Sequence, residues 1–155
     1  DGDGPVEISA EAPWPPHPDA VGLWRSVRMR YLDGDTLILY SGEWGDPEPG
    51  GTPLIEGPKG KLYQNYRTDP PGLMEELDGV PDPEPLIDFH TAVRTRRKSG
   101  GNEVSSHSSC TLVNLANIAI RTGRTLRWDP AREELNGDEV AQRLVDQPMT
   151  SPWHL

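Results

Sequence analysis

Residues 105–130 constrain the fold of this chain more than any other stretch. They predict one long helix over residues 105–122, beginning at Ser105 or Ser106, because apolar side chains surround much of its circumference. Gly123 follows, and glycine commonly ends a helix in the left-handed conformation. A helix that is apolar on most sides needs cover on most sides, so we expect it at the centre of a domain.

Short strands before this helix are predicted to supply that cover. Residues 6–10 alternate apolar and polar side chains, which is typical of a half-buried strand. Residues 26–41 predict a hairpin with its turn at Asp33-Gly34, because Asp-Gly adopts the positive φ angles of tight turns. The return strand, Thr36–Tyr40, is continuously apolar, so we expect it in the centre of its sheet.

A second hairpin is predicted downstream of the first. Its strands are residues 52–56 and 61–66, joined by the turn Gly57-Pro58-Lys59-Gly60. Another strand is expected over residues 125–128, where the chain reaches a Trp-Asp-Pro turn. Residues 1–70 are therefore expected to be mostly strands and loops.

Two further helices are predicted. Residues 82–98 form the first, beginning at Asp82 or Glu84, and residues 138–145 form the second. The first carries an apolar stripe at helical spacing that we expect to face inward. This stripe consists of Leu86, Ile87, Phe89, His90 and Val93.

The order of these elements predicts the fold class. Strands come first, then helices, then a closing strand, which is typical of an α+β domain. We expect an open, mostly antiparallel β-sheet with helices packed on one face, in a single domain spanning residues 1–155. The 17 prolines and 16 glycines predict long loops between the elements.

Charge and composition exclude several classes of partner. The formal net charge is -10, and nucleic-acid binding requires a basic face that displaces counterions from phosphates. No apolar run approaches the ~20 residues of a membrane-spanning helix. Hence we expect no nucleic acid and no membrane as partners, and a soluble protein that is either cytoplasmic or exported. The single cysteine, Cys110, excludes an intrachain disulfide and a cysteine metal cluster.

The sequence lacks the motifs of the common catalytic and cofactor sites. It has no G-x-G-x-x-G dinucleotide fingerprint, no phosphate-binding G-x-x-x-x-G-K-[ST] loop and no G-x-S-x-G elbow. Histidine, cysteine and acidic residues do not recur at the spacing of metal ligands. We therefore predict no catalytic, cofactor-binding or metal-binding residues in this chain.

A polar cluster at the start of the long helix, Ser105–Ser109, is the first candidate ligand site. Serine is a preferred N-cap, so capping alone explains part of the cluster. A helix start also presents N–H donors to an anion or a hydroxylated ligand. Ser106 and His107 are therefore candidates for substrate binding, with capping as the alternative.

The second candidate cluster spans residues 63–67 at the end of a predicted strand. Alternation along a strand would place Tyr63, Asn65 and Arg67 on one face. Aromatic and amide groups on an exposed face suit sugar hydroxyls. Tyrosine and arginine are also enriched at subunit interfaces, so an interface is the alternative.

Five pieces of the sequence, taken in order, resemble one family: the C-terminal α/β domain of the Gfo/Idh/MocA oxidoreductases, of the bacterial type. The pieces are GPVEISAEA, VRMRYLDGDTLILYSG, PLIEGPKGKLYQNY, DFHTAVRTRRKSG and SSHSSCTLVNLANIAIRTGRTLRWDP, and a terminal PW tail follows them. The resemblance implies an open antiparallel sheet that helps to enclose a sugar, cyclitol or related polyol. It also implies that the sheet often builds a homo-oligomer.

The family's catalytic motifs do not occur in this sequence. Its E-K-P lysine and D-x-x-x-H histidine belong to a nucleotide-binding half, and no residues here match either motif. The resemblance thus implies a missing N-terminal Rossmann domain that binds NAD or NADP, and a chain that is inactive alone. Net redox turnover and NAD-dependent glycoside cleavage both remain open for the full-length protein. The rival interpretation is a self-standing, non-enzymatic carbohydrate-binding or protein-interaction module.

Overall fold

The computed structural model describes residues 4–13, 21–42, 51–77, 79–81 and 85–145. The chain divides into two compact units, a larger one of residues 1–44 and 101–155 and a smaller one of residues 45–100. The PW tail that contributes to the sequence resemblance lies outside the described residues.

Among the described elements, strands come first along the chain, then helices, and two short strands and a last helix close the order. Their bounds, in chain order, are β1 (Glu7–Glu11), β2 (Ser26–Arg30), β3 (Thr36–Tyr40), β4 (Ile55–Gly57), β5 (Gly60–Leu62), β6 (Thr68–Asp69), a short 3-10 helix (Leu73–Leu77), α1 (Phe89–Thr95), α2 (Glu103–Thr122), β7 (Leu126–Asp129), β8 (Glu134–Leu135) and α3 (Glu139–Val145).

The sheet of the larger unit has the strand order β3-β2-β1-β7-β8, and each neighbouring pair is antiparallel. Ile8 of β1 lies opposite Met29 of β2 and Leu126 of β7. All three side chains are buried. Because side chains alternate between the faces of a sheet, these residues define one apolar face, on which α2 and α3 pack.

The second half of α2 forms the other side of this core. Its buried residues are Leu115, Ala116, Ile118, Ala119 and Ile120. Residues 103–110 of the same helix are exposed. The helix predicted over residues 105–122 is thus present and enters the core, but only its C-terminal half is covered.

The caps of α2 explain where it begins and ends. Asn102 is the N-cap, since its side-chain oxygen accepts hydrogen bonds from the backbone N–H groups of Val104 and Ser105. The predicted start at Ser105 or Ser106 is wrong by two to three residues, because asparagine caps a helix as well as serine does. Gly123 adopts φ 63° at the C-terminal end, as predicted.

The hairpin of β2 and β3 has the predicted turn, with Gly34 at φ 99° and the N–H of Asp35 donating to Oδ1 of Asp33 at 3.0 Å. The expected central position of Thr36–Tyr40 is wrong, since this strand lies at the edge of the sheet. Leu37 and Leu39 pack partly buried against the core, which accounts for part of its apolar character.

The smaller unit contains a three-stranded antiparallel sheet with the order β4-β5-β6. Gly57 pairs with Gly60, which places Pro58 and Lys59 in the turn of the predicted second hairpin. The strand predicted over residues 61–66 is wrong beyond Leu62, because the chain turns at that point towards β6.

The first long helix is shorter than predicted. Residues 85–88 are not helical, and α1 begins at Phe89, where the Asp88 carboxylate accepts from the N–H of Thr91. The predicted starts, Asp82 and Glu84, lie outside the described residues. The inward stripe is also wrong: Leu86, Phe89 and Val93 are exposed, and Ala92 is the buried residue of α1. With the helix beginning this late, residues 86 and 87 do not belong to its face.

The predicted fold class is confirmed, since the described residues form an α+β fold with antiparallel strand pairing. Among the helices that the structure describes, none combines the length and the apolar character that crossing a membrane requires.

Candidate functional site

A row of polar side chains runs along one side of α2. His107, Thr111, Asn114 and Arg121 are spaced by four, three and seven residues, which places them on the same face of a helix. We call these four residues the polar stripe. The neighbouring face of α2 packs into the core, so the rest of the helix fixes the direction in which the stripe points.

The polar stripe borders a cavity of about 750 Å³ within the larger unit. The other walls are the turn between β7 and β8, and α3. Further polar side chains that line the cavity are Asn117, Arg132, Glu133, Glu134 and Gln142, and the apolar ones include Leu115, Ile118 and Trp128. Its volume lies in the range of small-molecule sites.

One hydrogen-bonded pair of side chains joins two walls of the cavity. Nε2 of His107 lies 2.6 Å from Oε1 of Glu133, and the two side chains are 61% and 53% exposed. A carboxylate accepts hydrogen bonds, so Nε2 carries the hydrogen and Nδ1 remains for a second partner. Exposed pairs of this kind contribute only ~0–1 kcal/mol to stability, so the pair is better suited to holding a ligand than to holding the fold.

The turn after β7 places Glu133 at the cavity. Oδ1 of Asp129 accepts from the backbone N–H groups of Ala131 and Arg132, at 3.0 and 3.1 Å. Glu133 then adopts φ 55°, a left-handed conformation, and the chain returns as β8. The Trp-Asp-Pro sequence at the end of β7 thus begins the turn that places Glu133 next to His107.

Gln142 is held in place by the backbone of β8. Its Oε1 accepts from the N–H of Leu135 at 2.6 Å, which leaves the amide NH₂ group for other partners.

Asp138 fixes the start of α3, since its carboxylate accepts hydrogen bonds from the N–H of Ala141 and from Nη1 of Arg124. These two hydrogen bonds hold the pKa of Asp138 below its ordinary value of 3.8, the backbone bond contributing most.

The cavity can hydrogen-bond a polyhydroxylated ligand. Amide groups donate and accept, the hydroxyl of Thr111 does both, and the His107–Glu133 pair adds an imidazole and a carboxylate. Among the described residues, no group of three or more histidine, cysteine or acidic side chains is arranged to hold a metal ion.

The structure separates the two residues predicted from the serine cluster. His107 lines the cavity, whereas Oγ of Ser106 donates to the backbone oxygen of Gly101 at 3.4 Å and does not line it. Because Asn102 caps α2, the free N–H groups that motivated the prediction for Ser106 are also engaged.

The other predicted residues lie together in the smaller unit. Tyr63 to Arg67 form a tight turn between β5 and β6, not the alternating strand that was predicted. The guanidinium carbon of Arg67 lies 4.1 Å from the ring centroid of Tyr63. The side-chain oxygen of Asn65 accepts from the N–H of Arg67 at 3.2 Å, so the turn itself uses that group. A ligand-binding role for these three residues stays a prediction.

Most residues of the cavity were not predicted from the sequence. Asn114 and Arg121 follow His107 at helical spacing, so a search for polar periodicity would have found them. Glu133 and Gln142 offered no such signal, because their places depend on the β7–β8 turn and on the packing of α3.

Comparison with protein families agrees with this architecture. The model described as "Oxidoreductase family, C-terminal alpha/beta domain", that of the Gfo/Idh/MocA proteins, matches residues 1–155. No curated protein and no solved structure matches the chain. The match covers both sheets, the helices and all walls of the cavity, and it confirms the resemblance seen in the sequence. The chain therefore belongs to the Gfo/Idh/MocA oxidoreductase family, as its C-terminal α/β domain.

Proposed function

We propose that residues 1–155 form the substrate-side and oligomerisation domain of an NAD(P)-dependent oxidoreductase that acts on a sugar, a cyclitol or a related polyol. The observation that carries this proposal is the cavity of about 750 Å³ beside the polar stripe of α2. Sites for polyols need several donors and acceptors at fixed positions, and this cavity offers amide, hydroxyl and imidazole groups on helices that the core holds rigid.

In this proposal the cavity residues bind and orient the polyol. Asn114 presents its side-chain amide from α2. Gln142 presents its NH₂ group, which is not used in the hydrogen bond with the N–H of Leu135. Nδ1 of His107 faces a substrate hydroxyl, while the carboxylate of Glu133 holds the imidazole ring in position. Each group thus fixes one hydroxyl, and together they select the configuration of the polyol.

The cofactor would be held by another part of the full-length protein. A dinucleotide site uses parallel strands joined through a helix, with a glycine-rich turn at the helix start. The strand pairs of the described residues are antiparallel, so these residues do not fit NAD or NADP. A missing N-terminal Rossmann domain would bind the dinucleotide, and residues 1–155 alone would not turn over substrate.

The open face of the larger sheet supports the oligomerisation part of the proposal. It lies opposite the face that α2 and α3 cover, and Arg28, Ile38 and Tyr40 belong to it by register. Glu7 and Arg30 form an ion pair on the same face. Tyrosine and arginine are enriched at protein interfaces, so a second copy of the chain would find suitable contacts there.

Steady-state kinetics of the full-length protein test the substrate part. With NAD or NADP and a panel of sugars and cyclitols, Asn114→Ala should raise KM for the polyol about tenfold, the loss of one or two hydrogen bonds. KM for the dinucleotide should not change. Val113→Ala is the matched control, because Val113 is exposed next to Asn114 and does not line the cavity. An unchanged KM for the polyol in the Asn114 variant would remove the cavity from the substrate site.

The rival interpretation, a non-enzymatic binding or interaction module, gives a different result in the same experiment. It predicts saccharide binding, or binding of another protein, without dinucleotide-dependent turnover of any substrate in the panel. Turnover that depends on NAD or NADP therefore separates the two.

A further inference from the structure

The His107–Glu133 pair borders two cavities, and not one. The second cavity, of about 350 Å³, also lies in the larger unit. The two cavities share four lining residues: His107, Thr111, Trp128 and Glu133.

The two cavities differ in chemical character. Residues that line only the larger one include the amides of Asn114, Asn117 and Gln142. Those that line only the smaller one are Gly4, Pro5, Val104, Ser108, Leu112 and Pro130, of which Ser108 alone has a polar side chain. A strongly polar chamber therefore meets a more apolar one across the exposed His107–Glu133 pair.

The backbone of residue 4 forms a close-fitting end to the smaller cavity. A Cβ atom added at Gly4 would lie 2.8 Å from Cβ of Pro130 and 3.8 Å from Nε1 of Trp128. Glycine is required where backbone and side chain approach this closely. The smaller cavity is consequently bounded by rigid groups, two prolines and a buried indole, that keep its shape.

We propose that the two cavities bind one ligand in two parts, a polyol ring in the larger and an apolar alkyl or aryl substituent in the smaller. The linking atom then lies beside His107 and Glu133, whose exposed side chains leave a path across the solvent side of the pair. This inference rests on the proposed function, since it assigns the polyol to the larger cavity. It adds the substituent, and with it a preference for ligands that carry one.

Calorimetric titration of the full-length protein tests this inference with matched probes. The probes are the methyl and 4-nitrophenyl glycosides of glucose, galactose and N-acetylglucosamine. For the sugar that binds, the aryl glycoside should have a Kd about tenfold lower than the methyl glycoside, because partial burial of one ring against apolar walls corresponds to ~1.4 kcal/mol.

Two variants on α2 provide the decisive comparison. Val104→Phe fills the smaller cavity and should abolish the preference, so that the aryl and methyl glycosides bind with about equal Kd. Val113→Phe is the control, since Val113 is as exposed as Val104 (56% and 58%) but lines neither cavity, and it should keep the preference. Asn114→Ala should weaken both glycosides by the same factor.

The outcomes separate this inference from the proposed function. Equal binding of the two glycosides by the unmodified protein overturns the two-part site and leaves the polyol site intact. A preference that survives in Val104→Phe also overturns it. If no glycoside of either kind binds, the polyol site and the two-part site both fail.

Discussion

His107 and Glu133 are 26 residues apart in sequence, yet Nε2 of one lies 2.6 Å from Oε1 of the other. The pair joins α2 to the turn between β7 and β8, at the boundary of the candidate site. Since both side chains are largely exposed, the pair contributes little to folding.

A double-mutant cycle tests whether the pair acts as a unit on the substrate. In the full-length protein, His107→Ala should raise KM for the polyol or lower kcat by about two- to tenfold, the effect of one hydrogen bond. Glu133→Ala should have a similar effect, and the double variant should be no worse than either, because the carboxylate acts through the imidazole. The free energy of unfolding should change by less than ~0.5 kcal/mol. Additive effects would show that the two residues act separately, and unchanged kinetics would remove His107 from the site.

The start of α2 gives a second prediction, on stability. Asn102→Ala removes the side-chain oxygen that accepts from Val104 and Ser105, and should lower the free energy of unfolding by ~0.5–2 kcal/mol in urea denaturation. Ser109→Ala is the control from the polar cluster, and it should be neutral or slightly stabilising because alanine favours helices. A larger loss for Ser109→Ala than for Asn102→Ala would contradict Asn102 as the cap of α2.

The core side of α2 gives a third prediction. Ile120 is 5% exposed and belongs to the core, so Ile120→Ala should destabilise the protein by about 2–5 kcal/mol. Val113→Ala, at an exposed position of the same helix, should change stability by less than ~0.5 kcal/mol. Thermal unfolding followed by circular dichroism measures both. Equal losses would contradict the orientation of α2.

Asp138 gives a prediction on pH dependence. Its pKa in the folded protein is below the ordinary 3.8, because Ala141 and Arg124 donate hydrogen bonds to it. A lowered folded pKa stabilises the fold above the unfolded pKa, and that stabilisation disappears as the pH falls through the folded value. Asp138→Asn should therefore be less stable than the unmodified protein at pH 7, with the difference shrinking below about pH 3.8. Arg124→Gln should remove part of the same difference, and a difference that does not depend on pH would contradict the assignment.

The open sheet face gives the last prediction, which concerns assembly. If a second copy binds there, Arg28→Glu should weaken the dimer at least about tenfold in sedimentation velocity experiments, because a reversed charge at an interface leaves a carboxylate without its partner. Arg143→Glu, on α3 at the helix-covered side of the sheet, is the control and should leave the dimer unchanged. A protein that sediments as a monomer at all concentrations would contradict the proposal.

The sequence predicted the features that depend on local chemistry. The turn at Asp33-Gly34 and the end of α2 at Gly123 both follow from residues that tolerate positive φ, and both are present. The start of α2 was harder to predict from sequence, since Asn102, Ser105 and Ser106 are all good N-caps and lie within four residues of each other.

Features that depend on distant contacts could not be predicted in this way. The edge position of β3 follows from which strands pair with β1, and a run of apolar residues carries no information on that. Glu133 belongs to the site because of a turn that brings it to His107, and no periodicity links the two. Of the residues that line the cavity, His107 on its helix was therefore the one predicted.

Because α2 builds the core with one side and the cavity with the other, the two sides are free to diverge at different rates. Replacements at Thr111 or Asn114 change which ligand groups the helix meets, and they leave the packing of Ala119 and Ile120 untouched. A lineage of such domains can thus explore new ligands at little risk of losing a folded protein. In relatives of this chain, we expect variation to concentrate on the cavity side of the helix and invariance on the side that meets the sheet.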